Sequence, residues 1–394
     1  MPKLEPELAG LVRASFEQVV PSAIRKFDSQ VSDIPDILKL TLGEPDFNAP
    51  EHVKQATIAA INNNASHYGP AAGLPELRQA IATYLAKLNH VTYDPDTEIL
   101  TTIGATEAIS AAMGTILGAG DEVLIPTPIF PLYMAVAQLN GATPVLINTA
   151  DDNYVLTPER LTAALAAHPF AKMVVLNYPT NPTGVTYTKS ELQVLADVIR
   201  QHKLLVLADE IYCELAYDHE HVSMAEFLPE RTIVINGVSK SFAMTGYRIG
   251  YLAAPAALTA QIAKLHGALV TAAPTPMMAA AVEALTNGDA DIAEMKQAYR
   301  TRRDYLVQAL NTLGFETAAP NGAFYVFAKI PDTVNQDDYA YALQLAEKAH
   351  LAVIPGSFFG PGGEGYLRLS YAASQTVLES AVTRLSKFIA EPLN

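Results

Sequence analysis

Leu204-Leu205-Val206-Leu207-Ala208-Asp209-Glu210-Ile211-Tyr212 is a run of aliphatic residues that ends on a carboxylate. The lack of polar alternation reads as a strand covered on both faces, with its polar end at the edge of a sheet. Working outward, Asp121-Glu122-Val123-Leu124-Ile125 and Met173-Val174-Val175-Leu176-Asn177 precede it, and Thr232-Ile233-Val234-Ile235-Asn236 follows. Helical patterns lie between them. Thr188-Lys189-Ser190-Glu191 is a capping box, and Leu192, Leu195, Ala196 and Ile199 follow at helical spacing. Alternating strands and helices imply an α/β domain with a mostly parallel sheet sandwiched by helices. Such sheets bind ligands beyond the carboxyl ends of their strands.

The pattern changes after about residue 285. A long charged helix pattern runs from Asp289 to Leu313, and Ala323-Phe324-Tyr325-Val326-Phe327 and Leu367-Arg368-Leu369-Ser370 read as strands. The expected organisation is therefore an N-terminal segment, 1–46, packing on a smaller α+β domain, 286–394, with the large domain, 47–285, between them.

Composition limits the function classes. The 394 residues are 50% hydrophobic, and 26 basic against 41 acidic side chains leave a formal charge of −15, which repels nucleic acid and anionic lipid surfaces. The single cysteine, Cys213, cannot close an internal disulfide, and the first residues lack a leader pattern, so a reducing compartment, the cytoplasm, is expected. The uncharged stretch from Val123 to Ala150 is broken by Pro126, Pro128, Pro131 and Pro144, so no membrane helix is expected there. The nine histidines lack metal-ligand spacing, and no Gly-x-Ser-x-Gly or phosphate-loop pattern occurs.

Several polar residues fall where chemistry is expected. Lys240 lies in Gly237-Val238-Ser239-Lys240-Ser241-Phe242-Ala243-Met244-Thr245-Gly246-Tyr247-Arg248, just past a strand. A buried, cation-flanked lysine has a lowered pKa and can form an imine, although a surface lysine and arginine on a Gly-Ser loop would look the same. Asp209 needs a cation or donor at its strand end, such as a pyridinium N–H, or else caps a helix. Tyr212 could turn toward the same ligand or pack in the core. Asn181 stands in a rigid Asn177-Tyr178-Pro179-Thr180-Asn181-Pro182-Thr183-Gly184 turn. Gly104-Ala105-Thr106-Glu107 opens a helical pattern, as a phosphate cradle or a plain N-cap. Arg368, in an apolar run, is a fork for a substrate carboxylate or one half of an internal ion pair.

Together these segments, in this order over nearly the whole chain, resemble the class I, fold-type I pyridoxal 5'-phosphate (PLP) aminotransferases. The likeness to bacterial aromatic amino acid aminotransferases is greatest in Leu40-Thr41-Leu42-Gly43-Glu44-Pro45-Asp46-Phe47, Ser66-His67-Tyr68 and Asn236-Gly237-Val238-Ser239-Lys240. The resemblance implies that Lys240 forms the imine and carries the proton, Asp209 pairs with the ring nitrogen, and Asn181 and Tyr212 bond the phenolic oxygen. It implies a phosphate held by the Ala105 and Thr106 backbone, by Ser239 and Arg248, and by Tyr68 of a second subunit, hence a homodimer. Arg368 and Gly43 would bind the α-carboxylate, and Phe130 would stack on the ring where relatives commonly have tyrosine. The implied reaction is ping-pong transfer of the amino group from tyrosine or phenylalanine to 2-oxoglutarate. The lineage also resembles enzymes aminating N-acetyl-diaminopimelate precursors. A PLP-dependent C–S β-lyase would share the fold and the lysine, and a DNA-binding regulator would carry an additional module.

Overall fold

A computed structural model describes residues 2–13, 16, 19, 22–318 and 320–390. Met1, residues 391–394 and parts of the expected N-terminal segment lie outside the described residues. After helix Ala23–Val31 comes a short strand β1 (Leu38–Lys39), and then the strands of a seven-stranded sheet. These are β2 (Ile99–Thr102), β3 (Glu122–Thr127), β4 (Thr143–Asn148), β5 (Met173–Asn177), β6 (Leu205–Asp209), β7 (Thr232–Gly237) and β8 (Gly250–Ala253).

The sheet order is β2-β8-β7-β6-β5-β3-β4, parallel from β7 to β4, with β8 antiparallel to both of its neighbours. Side-chain alternation feeds two cores. Val175, Leu207, Ile233 and Ile235 point to one face and pack on helix Gly104–Ile116. Val174, Leu176, Val206 and Ala208 point to the other, against Leu192, Leu195 and Ile199 of helix Lys189–Arg200. Thr188 and Glu191 close the capping box in front of that helix. Each of those buried leucines stabilises the face by about 1.5–3 kcal/mol.

The C-terminal part contributes β9 (Glu316–Thr317), β10 (Tyr325–Lys329), β11 (Leu351–Ala352), β12 (Ile354–Pro355) and β13 (Tyr366–Ser370). Four of them form an antiparallel sheet in the order β12-β13-β10-β9. Phe27, Val31 and Leu40 share a core with Phe327, Tyr341 and Leu385, and β1 pairs in parallel with β11. The strand read from Ala323 begins two residues later. Ala323 has φ of 57°, in the left-handed region, and its carbonyl accepts hydrogen bonds from the Tyr217 and Tyr371 hydroxyls, so the extended run starts beyond it.

No described helix is long and apolar enough to cross a membrane, and no group of three or more metal-ligating side chains occurs among the described residues.

Candidate active site

The parallel register aligns Asn177 with Asp209, so the carboxyl ends of β5 and β6 open side by side. Asp209 is 4% exposed. Its Oδ2 accepts a 2.5 Å hydrogen bond from the Tyr133 hydroxyl, and its Oδ1 accepts one from the Ile211 N–H at 3.2 Å. Burial pushes its carboxyl pKa up to about 6 against those two donors. A desolvated carboxylate in that state gains from a cationic N–H partner. The neighbouring Glu210 has a separate role in the core, accepting from Asn89, Tyr178 and Ser223.

Lys240 is placed by three glycines. A Cβ on Gly237 would stand 2.8 Å from the Gly250 Cα, and a Cβ on Gly250 would stand 2.4 Å from the Ala105 nitrogen. The end of β7, the start of β8 and the start of helix Gly104–Ile116 therefore touch backbone to backbone. Gly104, with φ of +70°, completes the stack, because a side chain there would strike the Arg248 guanidinium. Arg248 itself has φ of 59° and donates from Nη1 to the Thr245 carbonyl at 2.9 Å. Beyond this junction the half-buried Lys240 donates from Nζ to the Gly43 carbonyl at 2.5 Å. Burial lowers its pKa to about 8; Arg248 and Arg368 add to the shift, while Glu44 and Asp209 oppose it.

Arg368, 2% exposed, enters from β13. Its Nη1 donates to the Asn181 Oδ1 at 3.1 Å and its Nη2 to the Thr41 carbonyl at 2.5 Å. The Tyr325 and Phe359 rings lie 4.7 and 5.1 Å from its guanidinium carbon. Its Nε is buried without a partner, and no carboxylate pairs with it among the described residues. An internal ion pair is therefore ruled out among those residues, and a buried cation in that state is a site for an external anion.

These side chains share one cavity of about 890 Å³ at the carboxyl edge of the sheet. Gly43, Ala105, Thr106, Phe130, Asn181, Asp209, Tyr212, Ser239, Lys240, Arg248 and Arg368 all line it. Tyr212 is both core and wall: its hydroxyl meets that of Tyr325 at 2.8 Å. Tyr68 stands apart, 88% exposed. Tyr133 and Tyr325 also line the cavity, and the sequence reading missed both. Each lies in an apolar run, Pro131-Leu132-Tyr133-Met134 and Phe324-Tyr325-Val326, where an aromatic signals packing.

Residues 35–385 match the family described as aminotransferase class I and II. The chain belongs to that aminotransferase family. It is 43% identical to a probable N-acetyl-LL-diaminopimelate aminotransferase of Bacillus subtilis, with 96% of each chain covered. An aspartate aminotransferase of Pyrococcus abyssi is 39% identical, with 95% of this chain and 97% of the other covered. The solved structure of an aromatic aminotransferase from Pyrococcus horikoshii OT3 matches with a TM-score of 0.87 at 37% identity, covering 92% of this chain and 98% of that one. Their names differ in the amino donor and agree on transamination.

Aminotransferases of this family use PLP and act on amino acids and 2-oxo acids. The cavity of this aminotransferase fits that cofactor on three structural grounds. Asp209 offers a buried carboxylate with room for a cationic partner. The start of helix Gly104–Ile116, whose first N–H groups have no intrahelical acceptor, lines the cavity together with the Arg248 guanidinium, and Gly104 has no side chain to fill the space beside that guanidinium. An amine of lowered pKa stands in the same cavity.

Proposed function

We propose that this aminotransferase transfers the amino group of tyrosine or phenylalanine to 2-oxoglutarate in a ping-pong cycle. The observation that carries the donor choice is the apolar part of the cavity lining, where Ile24, Leu42, Phe130 and Leu132 line the same cavity as the Lys240 amine and Leu42 is half exposed. Arg25, on the same rim and with no acidic partner among the described residues, suits the second carboxylate of the acceptor. The N-acetyl-LL-diaminopimelate reading is favoured by the 43% identical Bacillus relative.

In this reading Asp209 would hold the ring nitrogen, and Asn181 and Tyr212 the phenolic oxygen. Phe130 would cover the ring face. Ala105, Thr106, Ser239 and Arg248 would hold the phosphate. When bound, PLP supplies an electron sink for the charge released at the substrate Cα. Arg368 grips the α-carboxylate with Gly43 beside it and so fixes the Cα over the amine. Lys240 Nζ, as the free amine, takes the proton from that Cα. We also infer a homodimer, in which the exposed Tyr68 phenol reaches the partner's phosphate site, and a cytoplasmic setting suited to the buried Cys213 thiol.

A panel of amino donors with 2-oxoglutarate tests the donor. The expected order has phenylalanine and tyrosine above aspartate, alanine and N-acetyl-LL-diaminopimelate in kcat/KM. A higher value for any of those three overturns the aromatic reading.

A further inference from the structure

Helix Gly104–Ile116 carries an acid, Glu107, in its first turn, beside the proposed phosphate cradle. A carboxylate there favours the helix dipole, but it also repels a phosphate dianion at the same helix start. The structure supplies an offset. His266, from helix Ala256–Val270, is 1% exposed, and its Nδ1 lies 3.1 and 3.2 Å from the two Glu107 oxygens. Its Nε2 lies 2.8 Å from the Ala71 carbonyl. Both neighbours only accept hydrogen bonds, and a neutral imidazole can donate to just one of them, so satisfying both requires the imidazolium. Glu107 is engaged in turn, its Oε2 accepting from the Ile103 N–H at 2.9 Å just ahead of the helix.

Ala71 belongs to the loop that carries Tyr68. That loop is pinned at its far end by the Thr101 N–H, which donates to the Ala72 carbonyl at 3.0 Å, and at its near end by the Thr275 hydroxyl, which donates to the His67 carbonyl at 2.9 Å. His266 is thus a strut between the two chain segments that the proposed function assigns to the phosphate.

We propose that protonated His266, through Glu107 and Ala71, is a positioning residue for phosphate binding: it fixes the start of helix Gly104–Ile116 relative to the Tyr68 loop and cancels the Glu107 charge at the cradle. The proposal rests on the phosphate placement given under Proposed function. From the helix the one titratable group facing His266 is Glu107, the loop offers it a carbonyl, and on its own helix Lys264 turns to Gln261. Burial disfavours the proton, but the Glu107 carboxylate and the Ala71 carbonyl outweigh it and raise the pKa above the usual histidine value. The strut therefore persists to higher pH than an ordinary histidine would allow and is lost as pH rises through that raised value.

The test is equilibrium binding of PLP and of pyridoxal, which lacks the phosphate, to the cofactor-free protein from pH 6 to 10. His266→Gln should weaken PLP binding about ten-fold at pH 7 and leave pyridoxal binding unchanged. Glu107→Gln combined with His266→Gln, which removes both charges and keeps amide contacts, should recover most of that loss. The wild-type preference for PLP over pyridoxal should fall toward that of His266→Gln with rising pH, while the variant's preference stays flatter. Equal losses for both ligands, or no loss, overturn the proposal. If His266→Gln does not fold, the wild-type pH series and the double variant still decide. Arg248→Gln separates the two levels of inference. If it weakens PLP selectively and His266→Gln does not, the strut fails alone. If Arg248→Gln spares PLP as well, the phosphate placement fails with it.

Discussion

Lys240 is held in a state that costs folding free energy. Its folded pKa, about 8, lies below the ordinary 10.5, so the folded protein binds this proton less tightly than the unfolded chain does. The penalty is full below pH 8 and relaxes as pH rises from 8 toward 10.5. Lys240→Met should therefore make the cofactor-free protein more stable at pH 7, by about 1–3 kcal/mol, with the gain shrinking by pH 10. Thermal melts at the two pH values check this; an unchanged or lower melting temperature at pH 7 contradicts it. Asp209 has the opposite pH dependence, although burial again penalises the charged form. Its pKa, raised to about 6, gives a stability contribution that is complete below the ordinary 3.8 and is lost as pH rises through 6, until a cationic partner restores it. Lys240, Asp209 and Arg368 stood out in the sequence because their charge contradicted a small-residue or apolar context, and Asn181 because two prolines and a glycine fix the turn that presents it. Tyr133 was not legible, because a tyrosine in an apolar helix gives no sign that its hydroxyl meets a carboxylate one strand away.

At the level of elements, the long apolar strands were readable because each is buried on both faces. β2, β4 and β8 escaped: β2 and β8 are four residues long and diluted by Thr101, Thr102 and Gly250, and β4 is an edge strand that carries Thr143, Pro144 and Asn148. The pairing of β2 with β8 nevertheless shapes the cavity, since Gly250 opens β8 directly against the start of helix Gly104–Ile116. Gly250→Ala would place a methyl 2.4 Å from backbone atoms of Gly104 and Ala105, which cannot yield as a side-chain tip would. The expected cost is about 1–3 kcal/mol of stability, with weakened PLP affinity, read by melts and by cofactor titration. Unaltered cofactor affinity in a folded Gly250→Ala protein would contradict the backbone stack described above.

For the whole molecule, the C-terminal sheet and the helix Ala23–Val31 share one core that also takes in Ile211, Tyr212 and Leu215, so the wall of the cavity is also the joint between the two sheets. Tyr68 faces solvent in a single chain, and Ile58, Ile61 and Leu269 expose large apolar surfaces as well. The proposed homodimer would cover such groups. Mixing Tyr68→Phe protein with Lys240→Ala protein should form hybrids in which one site pairs Lys240 with a wild-type Tyr68 from the other chain. Activity above that of either parent, appearing as the chains exchange, is the expected result. Simple averaging of the parents would count against a site shared between chains. Such long-range assembly leaves no local sequence pattern, because it joins surfaces that no spacing rule connects.

The most direct test of the assigned chemistry is visible absorbance of the PLP-loaded protein and of Lys240→Ala. In the wild type, the band of lysine-bound cofactor should bleach when phenylalanine is added without an oxo acid, and return when 2-oxoglutarate follows. Lys240→Ala should lack that initial band and fail to complete the cycle. A Lys240→Ala protein that bleaches and recovers at the wild-type rate would contradict the role given to this amine.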